Sequence, residues 1–154
     1  MIVVKKATTN DIPILLDYMM QLQQFEHKLS ERARADEKTK AFFKDYLKRI
    51  GDPSYVFLVA WNETHTVGIA TGWKEHVSNA YKNEFVGFVC QVIVDPAFRG
   101  NGVGKQLFEA IKTEFKSMGV RELKAEVLHN NPESIRFWKS VGFEDFIVQL
   151  RMDV

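Results

Sequence analysis

Residues Val94 to Ile111, VDPAFRGNGVGKQLFEAI, join the end of an apolar run to the start of a helical pattern. Between them Gly100, Gly102 and Gly104 fall at alternate positions, flanked by Arg99 and Lys105. Glycines so spaced remove each Cβ that would bar a ligand from the backbone and let φ turn positive at no steric cost. The N–H groups of residues 100–105 then converge with the unpaired donors and positive end of a helix starting near Gly102. Such a loop suits an anion of pyrophosphate type. The plain alternative is a tight turn with no ligand.

Spacing separates this loop from two familiar phosphate binders. A Walker loop needs a glycine five positions before Gly104, where Arg99 stands, and a Ser or Thr after Lys105, where Gln106 stands. A Rossmann fingerprint needs G-x-G-x-x-G after the first strand of a βαβ unit, whereas here it is G-x-G-x-G after a late one.

Working outward, EFVGFVCQVIV (84–94) reads as a long strand ending at Asp95-Pro96, with Gly87 marking a bulge or a close backbone approach. On the other side Leu107, Phe108, Ile111, Phe115 and Met118 repeat at helical spacing up to Gly119. RELKAEVL (121–128) alternates as a strand, NPESIRFWKSV (131–141) as a short helix, and GFEDFIVQLRM (142–152) as a final strand. Toward the N-terminus, IVVKKA is a strand handing over at TTND to a helix from Ile12 to about Leu29. A second helix runs from roughly Glu37 to Ile50, and YVFLVAW and TVGIATGWKEH pair as a hairpin. The order β-α-α-β-β-β-α-β-α-β predicts an α+β domain over residues 1–154: a central mixed, mostly antiparallel sheet of about six to seven strands flanked by four helices.

Arg99-x-x-Gly102-x-Gly104, after VIVDPAF and before GKQLFEAI, closely resembles the acetyl-CoA motif of the GNAT (GCN5-related) N-acetyltransferase superfamily. VLHNNPESIRFWKSVGF resembles that family's second signature, through Asn131, Ser134, Phe137, Trp138 and Gly142-Phe143. VVKKATTNDIPIL looks like its opening strand and helix. The resemblance implies a GNAT fold and direct transfer of acetyl from acetyl-CoA to an amine, without a covalent enzyme intermediate. It assigns the pyrophosphate to Arg99, Gly100, Asn101, Gly102, Val103, Gly104 and Lys105, and the pantetheine arm to strand-edge groups of Val92, Ile93 and Val94. It sets the Val92 N–H on the thioester carbonyl, and Asn131, Ser134, Phe137 and Trp138 on the cofactor from the opposite side.

The chemistry poses two proton problems. An alkylamine with a pKa of about 10.4 is protonated at neutral pH and needs a base, and a thiolate with a pKa of about 8.5 leaves more easily with an acid nearby. Many family members place a Tyr acid where this chain has Trp138, whose indole N–H donates but is no useful acid. Either Tyr81 or a water substitutes, or the thiolate leaves unassisted. The base slots on the strand hold Cys90 and Gln91, which leaves Glu84, Glu126, His129 and Glu26 with His27 as candidates, Glu84 and His129 foremost. Cys90 in GFVCQVIV reads as a packed small hydrophobe rather than a nucleophile.

Composition excludes more than it assigns. Lys plus Arg at 21 against Asp plus Glu at 20 supplies no field for nucleic acid or an anionic membrane. A single cysteine allows no internal disulfide, and His27, His65 and His76 lack metal-ligand spacing. The start MIVVKKATTND does not read as a signal peptide and no run of 18 apolar residues occurs, so a cytoplasmic protein is expected. Amine specificity is expected from the first two helices, residues 30–39 and the loop KEHVSNAYKNE, with Trp61, Trp73 and Trp138 as partial lining. A homodimer through the exposed final strand is compatible. The rival reading is a non-catalytic acyl-CoA-binding regulatory module, since the Tyr at 138 is missing.

Overall fold

The computed structural model describes residues 1–154. Its elements run β1 (Ile2–Lys6), α1 (Ile12–Leu29), α2 (Glu37–Leu47), β2 (Tyr55–Asn62), β3 (His65–His76), β4 (Phe85–Val94), α3 (Val103–Ser117), β5 (Leu123–Lys124) and α4 (Pro132–Ser140). One sheet holds the strands in the order β1-β2-β3-β4-β5. The first four are antiparallel, and β5 lies parallel to β4 because α3 carries the chain back across the sheet.

Helix starts are set by local chemistry. Asp11 accepts from the Thr8 N–H at 2.8 Å ahead of α1, whose first turn takes Pro13. Asp36 accepts from the N–H groups of Lys38 and Thr39 at the head of α2. Side chains alternate across the sheet. Leu58, Ala60, Val67, Ala70 and Val89 meet Leu107, Phe108, Ile111 and Phe115 of α3 on one face. Phe57, Val59, Ile69 and Ile93 meet Leu15, Met19, Phe43 and Leu47 of α1 and α2 on the other.

Two glycines let α3 lie close on the sheet. A Cβ at Gly87 would stand 2.7 Å from the Phe115 ring, and one at Gly72 would stand 3.0 Å from the same ring and 2.3 Å from the Phe88 carbonyl oxygen of β4. Gly87 therefore marks a close approach. The bulge falls three residues on, where Thr71 pairs with Gln91 and Gly72 with Val89, leaving Cys90 as the extra residue of β4.

The expectation of six to seven strands is corrected to five. RELKAEVL supplies only Leu123 and Lys124 to the sheet, paired with Gly87 and Phe88. Past Phe88 the bulge carries β4 away from β5, and the ladder stops. GFEDFIVQLRM forms no strand in this chain, since a strand needs a hydrogen-bonded neighbour and none of the backbone groups of residues 144–154 finds one.

Candidate functional site

The end of the β4–β5 ladder opens a slot. From Val89 to Val94, β4 is paired to β3 on one edge and to no strand on the other, so alternate N–H and C=O groups face the gap. The slot leads directly into the glycine loop.

In that loop Gly100 and Gly102 both have φ of 79°, a left-handed conformation that β-carbon-bearing residues adopt at a cost. A Cβ at either would meet nothing within 4 Å, so their backbones border open space. Gly104 serves differently, since a Cβ there would come within 3.1 Å of the Phe137 ring. The Asn101 side-chain amide donates to the carbonyls of Phe98 and Arg99, and the Arg99 Nε donates to the Val94 carbonyl at 3.4 Å, bracing the turn from both sides. Gln106 makes the first helical bond of α3, to the Gly102 carbonyl. The N–H groups of residues 100–105 bond to no other backbone group. Six unpaired amides at a helix N-terminus form an anion cradle.

Across the slot, Asn131 caps α4, its side-chain oxygen accepting from the Ser134 N–H at 3.3 Å. Its amide nitrogen makes no hydrogen bond within the chain and presents two donors for a ligand. Phe137 seals the loop from behind through Gly104. Trp138, expected at the cofactor, sits instead in the core at 8% exposure, packed on Phe108, Phe137 and Phe143.

The bulge places two successive side chains, Cys90 and Gln91, toward α1 and α2. Gln91 accepts from the buried Thr71 hydroxyl at 2.9 Å. Burial foremost, then the nearby Glu126 carboxylate, pushes the Cys90 thiol up to about 12, and Glu26 adds to the shift. Carboxylates on both sides of the slot therefore bear on one sulfur. Glu26, near the end of α1, is half-buried, and burial raises its pKa. Tyr46 from α2 completes this wall, its ring against Tyr55, Phe57 and Trp73. Its hydroxyl is buried without a partner in hydrogen-bond geometry. Burial, helped by Cys90, raises the Tyr46 pKa, and the neighbouring Thr71 hydroxyl, committed to Gln91, opposes that shift without cancelling it.

The two foremost candidate bases are placed elsewhere. Glu84 precedes β4 at its far end, exposed, on the order of 25 Å from Val92 along a strand rising about 3.4 Å per residue. His129 is exposed in the turn after β5. Tyr81, the substitute acid, stands in the β3–β4 loop against Phe146. Sequence reasoning weighed Glu26 only in passing and missed Tyr46 and Thr71. The signal for Tyr46 was its place in the α2 apolar stripe, which reads as core.

A model of the acetyltransferase (GNAT) family matches residues 16–143. The chain belongs to that family. Among curated relatives, an uncharacterized N-acetyltransferase of Methanocaldococcus jannaschii is 33% identical over 104 residues, covering 68% of this chain and 44% of that one. An aminoglycoside N(6')-acetyltransferase type 1 of Stenotrophomonas maltophilia is 30% identical over 100 residues, covering 63% and 65%. The chain thus spans less than two thirds of the length of either relative. The GNAT fold itself is matched by AAC(6')-Iy, solved with a CoA-S-monomethyl-acetylneamine bisubstrate analog, at a TM-score of 0.78 and 18% identity over 100% of this chain and 99% of that one.

Proposed function

We propose that this protein is an acetyl-CoA-dependent N-acetyltransferase that acylates an amine directly. The observation that carries the reading is the run of unpaired amides from Gly100 to Lys105, continuous with the open edge of β4. A pyrophosphate in the cradle leaves an extended pantetheine arm nowhere to lie but along Val94, Ile93 and Val92, where strand-edge groups bond it as they would a β-strand. Acetyl-CoA supplies the activated acyl group.

The chain's residues then divide the work. The strand-edge N–H at Val92 polarises the thioester carbonyl. Cys90 stays a thiol at neutral pH and takes no acyl group, which favours direct attack. Glu26 takes the amine's proton, since a carboxyl with a raised pKa is a better-matched base at neutral pH than an exposed one. Glu126 adds a second negative charge that draws in an ammonium. Tyr46, its hydroxyl sealed behind the Cys90 thiol, stays protonated and backs the wall of the slot without touching the acceptor. No side chain at the slot fits an acid for the thiolate, so water protonates it. This combination, with the aminoglycoside relative, favours an amino-sugar acceptor, in one cytoplasmic domain spanning residues 1–154.

The test is thiol release from acetyl-CoA with a panel holding an aminoglycoside, glucosamine 6-phosphate, a polyamine and a lysine peptide. Turnover is expected with an amino sugar, reduced roughly 100-fold or more in kcat by Glu26→Gln. Bound acetyl-CoA with no turnover on any amine would establish the non-catalytic module instead.

A further inference from the structure

One hydrogen bond spans the slot. The side-chain amide of Asn130, in the turn after β5, donates to the Leu29 carbonyl at the end of α1 at 2.8 Å. No other hydrogen bond joins residues 1–50 to residues 118–141. The sheet gives no tie at that place, because the β4–β5 ladder stops at Phe88 and Lys124.

Both ends of this bond are fixed by local chemistry. The last carbonyls of a helix lack intrahelical donors. In α1 the Glu26 carbonyl takes the Ser30 N–H at 2.9 Å, and the Leu29 carbonyl has no donor other than Asn130. His27 Nδ1 lies 2.6 Å from the Ala33 carbonyl, which ties the following turn back onto the helix. On the other wall the Asn131 N–H closes a turn onto the Leu128 carbonyl at 3.0 Å, and the Asn131 side chain caps α4. Asn130 is therefore presented from a braced backbone. Glu26 lies three residues before Leu29, on the same side of α1. What sets the height of Leu29 over the slot sets that of the Glu26 carboxylate.

We propose that Asn130 is a positioning residue, a clasp that holds the last turn of α1, and with it the Glu26 carboxylate, against the far wall of the slot. Its consequence for turnover rests on the transferase reading, in which Glu26 takes the amine's proton, whereas the clasp itself rests on geometry alone. With the clasp open, no hydrogen bond holds the end of α1 to that wall. The slot then widens, and water reaches both Glu26 and the Cys90 thiol, on which Glu26 and Glu126 bear. Loss of one neutral hydrogen bond shifts such an equilibrium about fivefold, which sets the size of each effect below.

The clasp is tested through Cys90, without any assay of activity. Asn130→Ala removes the donor, and Asn130→Asp replaces it with a carboxylate of the same shape that a turn accepts as readily. Iodoacetamide should alkylate Cys90 about fivefold faster in either variant than in the native protein, with unchanged far-ultraviolet circular dichroism. The shape-preserving Asn130→Asp decides the question if Asn130→Ala disturbs the fold. Arg32→Ala breaks only the exposed pair between the neighbouring turn and Asp153, and should react at the native rate. With an amine that the native protein acetylates, Asn130→Ala should lower kcat about fivefold and leave the acetyl-CoA dissociation constant unchanged, since the cradle is untouched. Asn130→Gln, which keeps the donor on a longer arm, should recover most of the loss. Native alkylation rates in both Asn130→Ala and Asn130→Asp, or equal acceleration by Arg32→Ala, would overturn the clasp. Faster alkylation with an unchanged kcat would overturn the positioning role. A native protein that releases thiol with no amine would instead refute the transferase reading, and the alkylation rates would still decide the clasp.

Discussion

At the scale of single residues the site rests on groups whose ordinary chemistry has been altered by burial. Glu26 is harder to ionise when folded than its reference value of 4.5 because burial removes it from water. Its contribution to stability is therefore present in acid, where it is protonated, and is lost as pH rises through the raised folded value. Glu26→Gln should gain thermal stability relative to the native protein between pH 4 and pH 8 while losing turnover. A melting-temperature series at several pH values checks both sign and direction. A variant that loses activity and stability together at pH 8 would show a structural role instead. Cys90 gives a second outcome. With its thiol pushed up to about 12, alkylation by iodoacetamide at pH 7.5 should be at least 10-fold slower in the folded protein than in urea.

At the scale of elements, the bulge at Cys90 does two jobs through one extra residue. It turns a second side chain toward α1 and α2, and it ends the β4–β5 ladder at Phe88 so that the slot can open. α4 contributes through its cap. Asn131→Ala should cost about 1 kcal/mol of stability and weaken acetyl-CoA binding as well, read by thermal melts and titration. Gly72→Ala should cost about 1–3 kcal/mol, because its Cβ would meet the Phe88 carbonyl oxygen, and chemical denaturation measures the loss.

Element boundaries that depend on local signals were legible in the sequence. The TTND start and the three-and-four spacing give α1 its limits at Ile12 and Leu29, as the structure has them. The glycine loop was legible because each glycine answers a local need, a positive φ at 100 and 102 and a close contact at 104. Non-local needs left no such mark. Alternation in GFEDFIVQLRM states that one face wants burial and is silent on which chain supplies the neighbour. Glu84 and Glu26 are both plain glutamates in sequence, and only the fold sends one to the far end of β4 and the other to the slot.

For the whole molecule, near balance of charge supplies no global field for an anionic ligand and leaves recognition to local geometry. The slot lies between two blocks joined only as far as Phe88 and Lys124, so a ligand that spans it should stabilise the fold. Acetyl-CoA at 100 times its dissociation constant should add about 2.7 kcal/mol. For a chain of this size that corresponds to a rise of roughly 5–10 °C in melting temperature.

The most direct measurement is a calorimetric titration of the native protein and of Gly102→Glu with acetyl-CoA, with circular dichroism confirming that both are folded. The substitution sets a carboxylate among the unpaired amides of the cradle. Saturable one-to-one binding by the native protein, lost in the variant, is the predicted result. Absence of binding by the folded native protein, or equal binding by both proteins, would contradict the assignment of the glycine loop to the pyrophosphate.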